Sequence, residues 1–146
     1  MNYLTHQLLN PEEISLLKKN LFLKDLPWED GKKTAGNYAA KVKDNLQLDK
    51  NSNFSKKYTE LIEKKILNNI LIKSFALPKR IHGIMFTKSL QGMKYGRHID
   101  NAFMSTGRAD LSFTIFLSEK DKYSGGELLI EGLNSEDKFK LDSGGI

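Results

Sequence analysis

Pro78 divides the sequence into two textures, and that division constrains the fold more than any other feature. Upstream of it, apolar residues recur at helical spacing. Downstream, the chain breaks into short alternating runs punctuated by glycines, a pattern that strands and tight turns accommodate and helices do not. Helices first and strands afterwards point to an α+β fold rather than to alternating βαβ units. At 146 residues the chain has the length of one domain and can bury a sizeable core. The division predicts an N-terminal helical support region over 1–78 and a β core over 79–146, within one domain overall.

The helical part carries its own start and stop signals. Asn10-Pro11-Glu12-Glu13 places an N-cap residue, a proline at the first helical position and acids in the first turn. Ile14, Leu17 and Leu21, with Leu16 beside them, then give an apolar face that should end near Leu23. A second helix opens at Asn53 or Ser55 and runs through Tyr58, Leu61, Ile62, Ile66 and Ile70 towards Phe75. Its other side is charged, and Pro78 marks its end. Between the two helices, Leu26-Pro27-Trp28-Glu29-Asp30-Gly31 reads as extended chain leading into a turn, with Trp28 as a core anchor. Residues 34–36 and 42–48 fit neither period.

In the β part, 81–87 reads as a first strand, and Gly92 sits in the turn to a strand bearing His98. Leu111, Phe113, Ile115 and Leu117 alternate with Ser112, Thr114 and Phe116 as a plain period-2 strand. Asp121-Lys122-Tyr123-Ser124-Gly125-Gly126 is a turn, Glu127 to Glu131 a strand, and Phe139 and Leu141 extend the pattern to Asp142-Ser143-Gly144-Gly145. Short strands at this spacing fit a sandwich or a jelly roll. The last Gly-Gly turn should hand the chain to a further strand, so the sequence reads as cut short at Ile146.

Composition narrows the chemistry. Without cysteine the chain has no disulfides, thiolate metal sites or thiol nucleophiles, so a metal would have to be held by His, Asp, Glu or carbonyl oxygens. The net charge of +5 comes from lysines scattered over helical stretches, which speaks for a solvated surface rather than a nucleic-acid stripe. The sequence contains no membrane-length apolar run and no signal peptide, and a cytoplasmic location is the default expectation.

Tyr95-Gly96-Arg97-His98-Ile99-Asp100-Asn101 is the stretch that carries chemistry. His98 and Asp100 stand two apart, and on a strand residues so spaced share a face. An imidazole nitrogen and a carboxylate oxygen can then converge on one cation, as two of the three ligands in the 2-His-1-carboxylate arrangement for non-haem Fe(II). Taken alone, H-x-D is a common surface triplet. Tyr95 and Arg97 could line a pocket mouth, and Asn101 could support the ligands or simply end the strand. Arg108-Ala109-Asp110 reads as settling the start of the next strand. Gly125 and Gly126 permit a tight turn, and Glu127 reads as a charge at a strand end.

Gly92-Met93-x-Tyr95-Gly96-x-His98-x-Asp100-Asn101, Arg108-x-Asp110-Leu111-Ser112-x-Thr114-x-Phe116-Leu117-Ser118 and Tyr123-x-Gly125-Gly126-Glu127-Leu128, in that order, resemble the PKHD-type hydroxylases. These are bacterial Fe(II)- and 2-oxoglutarate-dependent dioxygenases related to prolyl 4-hydroxylases. Upstream, Pro11-Glu12-Glu13, Trp28-x-Asp30-Gly31, Thr34-Ala35-Gly36 and Asn45-Leu46-Gln47-Leu48 extend the likeness over nearly the whole chain.

The resemblance implies a double-stranded β-helix, a jelly-roll core, with helices packed outside. It carries His98 and Asp100 over as metal ligands. It further implies 2-oxoglutarate as co-substrate, O2 and an unidentified C–H substrate as reactants, and ascorbate as an accessory reductant. Relatives of this kind place a second His and a 2-oxoglutarate-binding Arg on later strands, and the sequence ends before both positions. Ser89 stands near the place where such relatives often carry a tyrosine. The 146 residues by themselves are therefore expected to turn over poorly. Three other readings stay open: a non-catalytic binding module on a decayed dioxygenase fold, one part of a split enzyme, and a cupin-like hydrolase or isomerase using His98, Asp100 and His82. Neither the substrate nor the oligomeric state is written in the sequence.

Overall fold

The computed structural model describes residues 3–23 and 25–146. In chain order its elements are helix α1 (Pro11–Leu21), strand β1 (Trp28–Asp30), a 3-10 turn (Gly31–Thr34), α2 (Asn37–Ala40), β2 (Lys43–Asp44), β3 (Leu46–Leu48), α3 (Asn53–Asn68) and α4 (Ile70–Ala76). There follow β4 (Thr87–Lys88), β5 (Lys94–Tyr95), β6 (Phe103–Met104), β7 (Gly107–Arg108), a second 3-10 turn (Lys120–Lys122), β8 (Leu128–Glu131) and β9 (Glu136–Phe139). Helices joined to small antiparallel sheets make the fold α+β, although β1, β2 and β3 stand before Pro78, within the stretch expected to be helical. No helix among the described residues is long and apolar enough to cross a membrane. The chain divides into two compact units, Asn20–Ser112 and Met1–Lys19 with Phe113–Ile146.

In the unit Asn20–Ser112, α3 supplies most of the core. Phe54, Tyr58, Ile62 and Ile66 recur at helical spacing and are buried, as are Leu48, Ile72 and Phe86. Burying each such side chain contributes about 1.5–3 kcal/mol. The Phe54 ring meets Tyr58 at 4.5 Å and takes Phe86 edge-on at 5.1 Å. The N-cap is Ser52, one residue ahead of Asn53 and three ahead of Ser55, and its side chain accepts from the Ser55 amide at 3.1 Å.

The single helix expected up to Pro78 is two helices. Asn69 adopts an extended backbone, and its side-chain oxygen accepts from the amides of Leu71 and Ile72, both at 3.0 Å. An asparagine inside a helical pattern offers the backbone a competing hydrogen bond, and here it starts a new helix. That helix closes on Leu77 in the left-handed region (φ 45°), directly before Pro78.

Three antiparallel pairings frame the rest of this unit. β3 lies between β1 and β4, β2 pairs with β5, and β6 pairs with β7. Trp28 is half-buried on β1 with the Lys88 ammonium 4.2 Å from its ring centroid, so it is a stacking platform rather than the expected core anchor. The strand expected over 81–87 is paired only at its end, where Thr87 faces Gln47 and the Phe86 carbonyl accepts from Leu48. Alternation marks which face a residue shows, but a strand also needs a partner, and the described residues offer none to 81–85.

In the other unit, the backbone around Gly144 holds distant segments together. The amides of Leu8 and Leu9 donate to the Gly144 carbonyl, His6 and Ile146 exchange two bonds, and Gly144 and Gly145 bracket Phe116. Phe116 is thus the paired residue of the strand expected over 111–117, whose other positions form no ladder among the described residues. β8 and β9 form a hairpin in the expected place, Leu128 opposite Phe139. Gly125 and Gly126, both at φ 74°, make the turn before it.

Gly144 takes φ 90°, and a Cβ there would stand 2.6 Å from the Leu9 carbonyl oxygen and 2.6 Å from Ile14 Cδ1. Gly144→Ala should therefore lower stability by about 2 kcal/mol or more in chemical denaturation, with amide protection lost first at Leu8, Leu9 and Phe116. Unchanged stability would show that the Gly144 turn does not hold this unit together.

Candidate metal centre

β2 and β5 pair in antiparallel register, with Lys43 opposite Tyr95 and Asp44 opposite Lys94. The last rung runs from the Gly96 amide to the Val42 carbonyl at 2.8 Å. A Cβ on Gly96 would sit 3.0 Å from Val42 Cβ, so a bare backbone suits this close approach. Beyond Gly96 the ladder stops, and His98 and Asp100 lie outside any strand. The chain instead curls: His98 Nδ1 donates to the carbonyl of Gly96 at 2.8 Å, and the His98 ring stacks on Tyr95 with centroids 3.7 Å apart and planes 11° from parallel.

That curl brings His98 Nε2 to 3.3 Å from Asp100 Oδ1. A carbonyl only accepts, so its partner Nδ1 carries the proton, and in the neutral imidazole Nε2 is then a bare lone pair. A lone pair and a carboxylate oxygen facing each other at this distance need a cation between them, either a proton on Nε2 or a metal. Two donors each about 2.1 Å from an ion and at right angles stand roughly 3.0 Å apart, so the pair suits a borderline divalent cation. The His98 side chain is 25% exposed and that of Asp100 67%, which leaves the carboxylate side open to solvent. The two residues paired by the sequence thus do converge, through a local curl rather than through strand alternation.

The other candidates fall in different places. Asn101 turns its side-chain oxygen to the amide of Phe103 at 3.1 Å, closing the turn into β6. Arg97 is exposed on the bend. His82 has both ring nitrogens engaged, Nδ1 with Thr106 Oγ1 at 2.7 Å and Nε2 with the Arg108 carbonyl at 2.8 Å. His6 lies in the other unit, where its backbone pairs with Ile146. Arg108 and Asp110 pair at 2.6 Å on the surface. Among the described residues, no group of three or more His, Asp or Glu side chains is placed to hold a metal ion.

Sequence reasoning missed what lies beneath Tyr95. Lys43, Asn45 and Gln47 alternate along β2 and β3 and are all buried, Lys43 to 3% exposure. The Lys43 ammonium lies 4.9 Å from the Tyr95 ring centroid and donates to Thr34 Oγ1 at 3.2 Å. Thr34 in turn bonds to Gln47 Oε1, and Gln47 Nε2 reaches Met85 Sδ at 3.6 Å. Asn45 Oδ1 is buried without a partner among the described residues, packed where a side chain on Gly31 would overlap it. The available signal was the polar alternation Lys43-x-Asn45-x-Gln47, which is a strand pattern with its polar face inward. Burial raises the Tyr95 phenol, with the Asp100 carboxylate adding to the effect, so the ring remains a neutral stacking partner. A cation over such a ring contributes about 0.5–2 kcal/mol.

Curated proteins of Prochlorococcus marinus are similar over the full chain. A PKHD-type hydroxylase of Prochlorococcus marinus (strain MIT 9215) is 86% identical over 146 residues. Those of strain MIT 9515 and strain NATL1A are 67% and 51% identical. The chain belongs to the PKHD-type hydroxylase family. It spans 66% of the length of each of these relatives. No protein-family model matches it. In this chain, the motif that carries the family resemblance is the same curl that brings an imidazole and a carboxylate together.

Burial lowers the Lys43 ammonium below its ordinary value, partly offset by the Asp30 carboxylate. The unfolded chain then binds more protons than the native one between the depressed and the ordinary lysine values, so stability rises with pH across that window. The penalty is fully present below the native value and fades as pH climbs through it. Lys43→Met should remove this alkaline gain, read as the difference between parent and variant in urea midpoints at pH 7 and pH 10. Parallel pH profiles would show that burial places no charge penalty on Lys43.

Proposed function

We propose that this chain is the metal-bearing part of an Fe(II)- and 2-oxoglutarate-dependent oxygenase that hydroxylates an unactivated C–H bond. The observation that carries the reading is the facing of His98 Nε2 and Asp100 Oδ1 at 3.3 Å, with Nδ1 tied back to a carbonyl. Family membership supports it, since the relatives are named as hydroxylases. When bound, iron would supply activation of O2 coupled to oxidative decarboxylation of 2-oxoglutarate to succinate and CO2.

The chain's own residues have simpler tasks. The Gly96 carbonyl holds the Nδ1 proton and so presents the Nε2 lone pair, as an outer partner of a ligating histidine does. Asp100 supplies a negative charge to balance a dication, and its open side admits the ion. In this reading the small sheets belong to a double-stranded β-helix, with the helical stretch of 1–78 as its support. The reading assigns the second His and the Arg that pairs with the distal 2-oxoglutarate carboxylate to the part of the longer relatives that this chain does not span. Ascorbate as an accessory reductant and a cytoplasmic setting belong to the same proposal.

Titration of the purified chain with Mn(II), followed by electron paramagnetic resonance, should show binding that weakens at least about tenfold in His98→Ala and in Asp100→Ala. Binding indifferent to both changes would overturn the reading. Succinate formation from 2-oxoglutarate by these 146 residues should stay at trace level, because the described residues bring only two ligands together.

A further inference from the structure

We propose that Tyr95 is a positioning residue for His98, setting the plane of the imidazole so that Nε2 faces Asp100, and that Lys43 on the neighbouring strand holds the Tyr95 ring. The inference rests on the reading of His98 and Asp100 as metal ligands. A histidine ring on a solvent-facing curl has two rotations to lose before it can serve as a ligand. The hydrogen bond from Nδ1 to Gly96 is local, spanning two residues, and opens readily if the curl relaxes. What resists that opening is the nearly parallel Tyr95 ring, 3.7 Å away, which covers one face of the imidazole.

Tyr95 is itself anchored from another strand. The β2–β5 register puts Lys43 directly opposite it, with the ammonium 4.9 Å from its ring centroid. Among the described residues no carboxylate forms an ion pair in contact with Lys43; Asp30 acts on it only as a nearby charge, and its direct partners are the Thr34 hydroxyl and this ring. A buried cation without a carboxylate in contact is costly, and an aromatic face is one of the few partners that offset it. The ammonium and the imidazole thus both lie against the Tyr95 ring. It links the buried polar row of β2 and β3 to the metal-facing nitrogen. The role belongs to the ring and its stacking, not to the phenol hydroxyl.

The test compares Tyr95→Phe, Tyr95→Leu and Lys43→Met with the parent chain by two readouts. The first needs no metal: nitrogen-15 shifts of the His98 ring report the tautomer, and the ring-proton shifts report stacking. The parent should show Nδ1 protonated and ring protons moved upfield. Tyr95→Phe should keep both, while Tyr95→Leu should lose the upfield shift.

The second readout is Mn(II) affinity. It should stay within about twofold in Tyr95→Phe, fall about threefold in Lys43→Met and fall about tenfold in Tyr95→Leu. Binding that depends on His98 yet is equal in Tyr95→Leu and the parent overturns this inference alone. Absence of His98-dependent binding in the parent overturns the metal reading, and the positioning role with it. Should Tyr95→Leu not fold, the parent spectrum still decides: ring protons at unstacked positions overturn the proposal.

Discussion

The hydrogen bond from the Gly96 amide to the Val42 carbonyl is the constraint on which the site depends. It is the last rung between β2 and β5, and it does two things at once. It fixes the register that lays Lys43 opposite Tyr95, and it ends the ladder so that the next residues are free to curl. Were the strands to continue pairing past Gly96, the chain would stay extended and the His98 ring would not curl back onto the Gly96 carbonyl. Glycine suits the position because the two backbones approach closely there, with only 3.0 Å between a would-be Cβ and that of Val42.

This explains why the H-x-D pair was legible in the sequence while its setting was not. Alternation predicted that His98 and Asp100 would share a face, and they do converge, but by a turn that alternation does not describe. The Asn10 cap of α1 was legible, and the structure adds the reciprocal bond from Glu13. Asn10 accepts from the Glu13 amide and Glu13 answers to the Asn10 amide, both at 2.9 Å, because each partner lies within one turn of sequence. The glycine turns at Gly92, Gly125, Gly126 and Gly144 were legible for the same reason, since positive φ is a local demand. Strand pairing depends on partners far along the chain, so 81–87 and 111–117 were given too much ladder. Asn69 was missed because its effect lies in its own side-chain bonds, which the spacing of its neighbours does not reveal.

The buried row of Lys43, Asn45 and Gln47 shows where local and global signals conflict. A strand with polar residues facing inward costs stability unless each group finds a partner, and here the partners are uneven. Gln47 and Thr34 satisfy each other, Lys43 leans on a hydroxyl and a ring, and Asn45 Oδ1 has no partner among the described residues. Natural chains break such rules mostly where function repays them. Lys43, the first residue of the row, lies by the tyrosine that stacks on a candidate metal ligand, so part of that cost is attached to the place where the chemistry is read.

A curl and a strand also differ in how firmly they hold a ligand pair. Residues two apart on a strand stand roughly 6.6 Å apart along the chain, so their side chains converge only through matching rotamers. On the curl after Gly96 the backbone does part of the work, and the imidazole is held by a hydrogen bond at one edge and a ring on one face. Such a site is locally assembled, with the ring stack as its link to the core. Its geometry is therefore as good as the order of one turn, and the stack on Tyr95 is what sets that order.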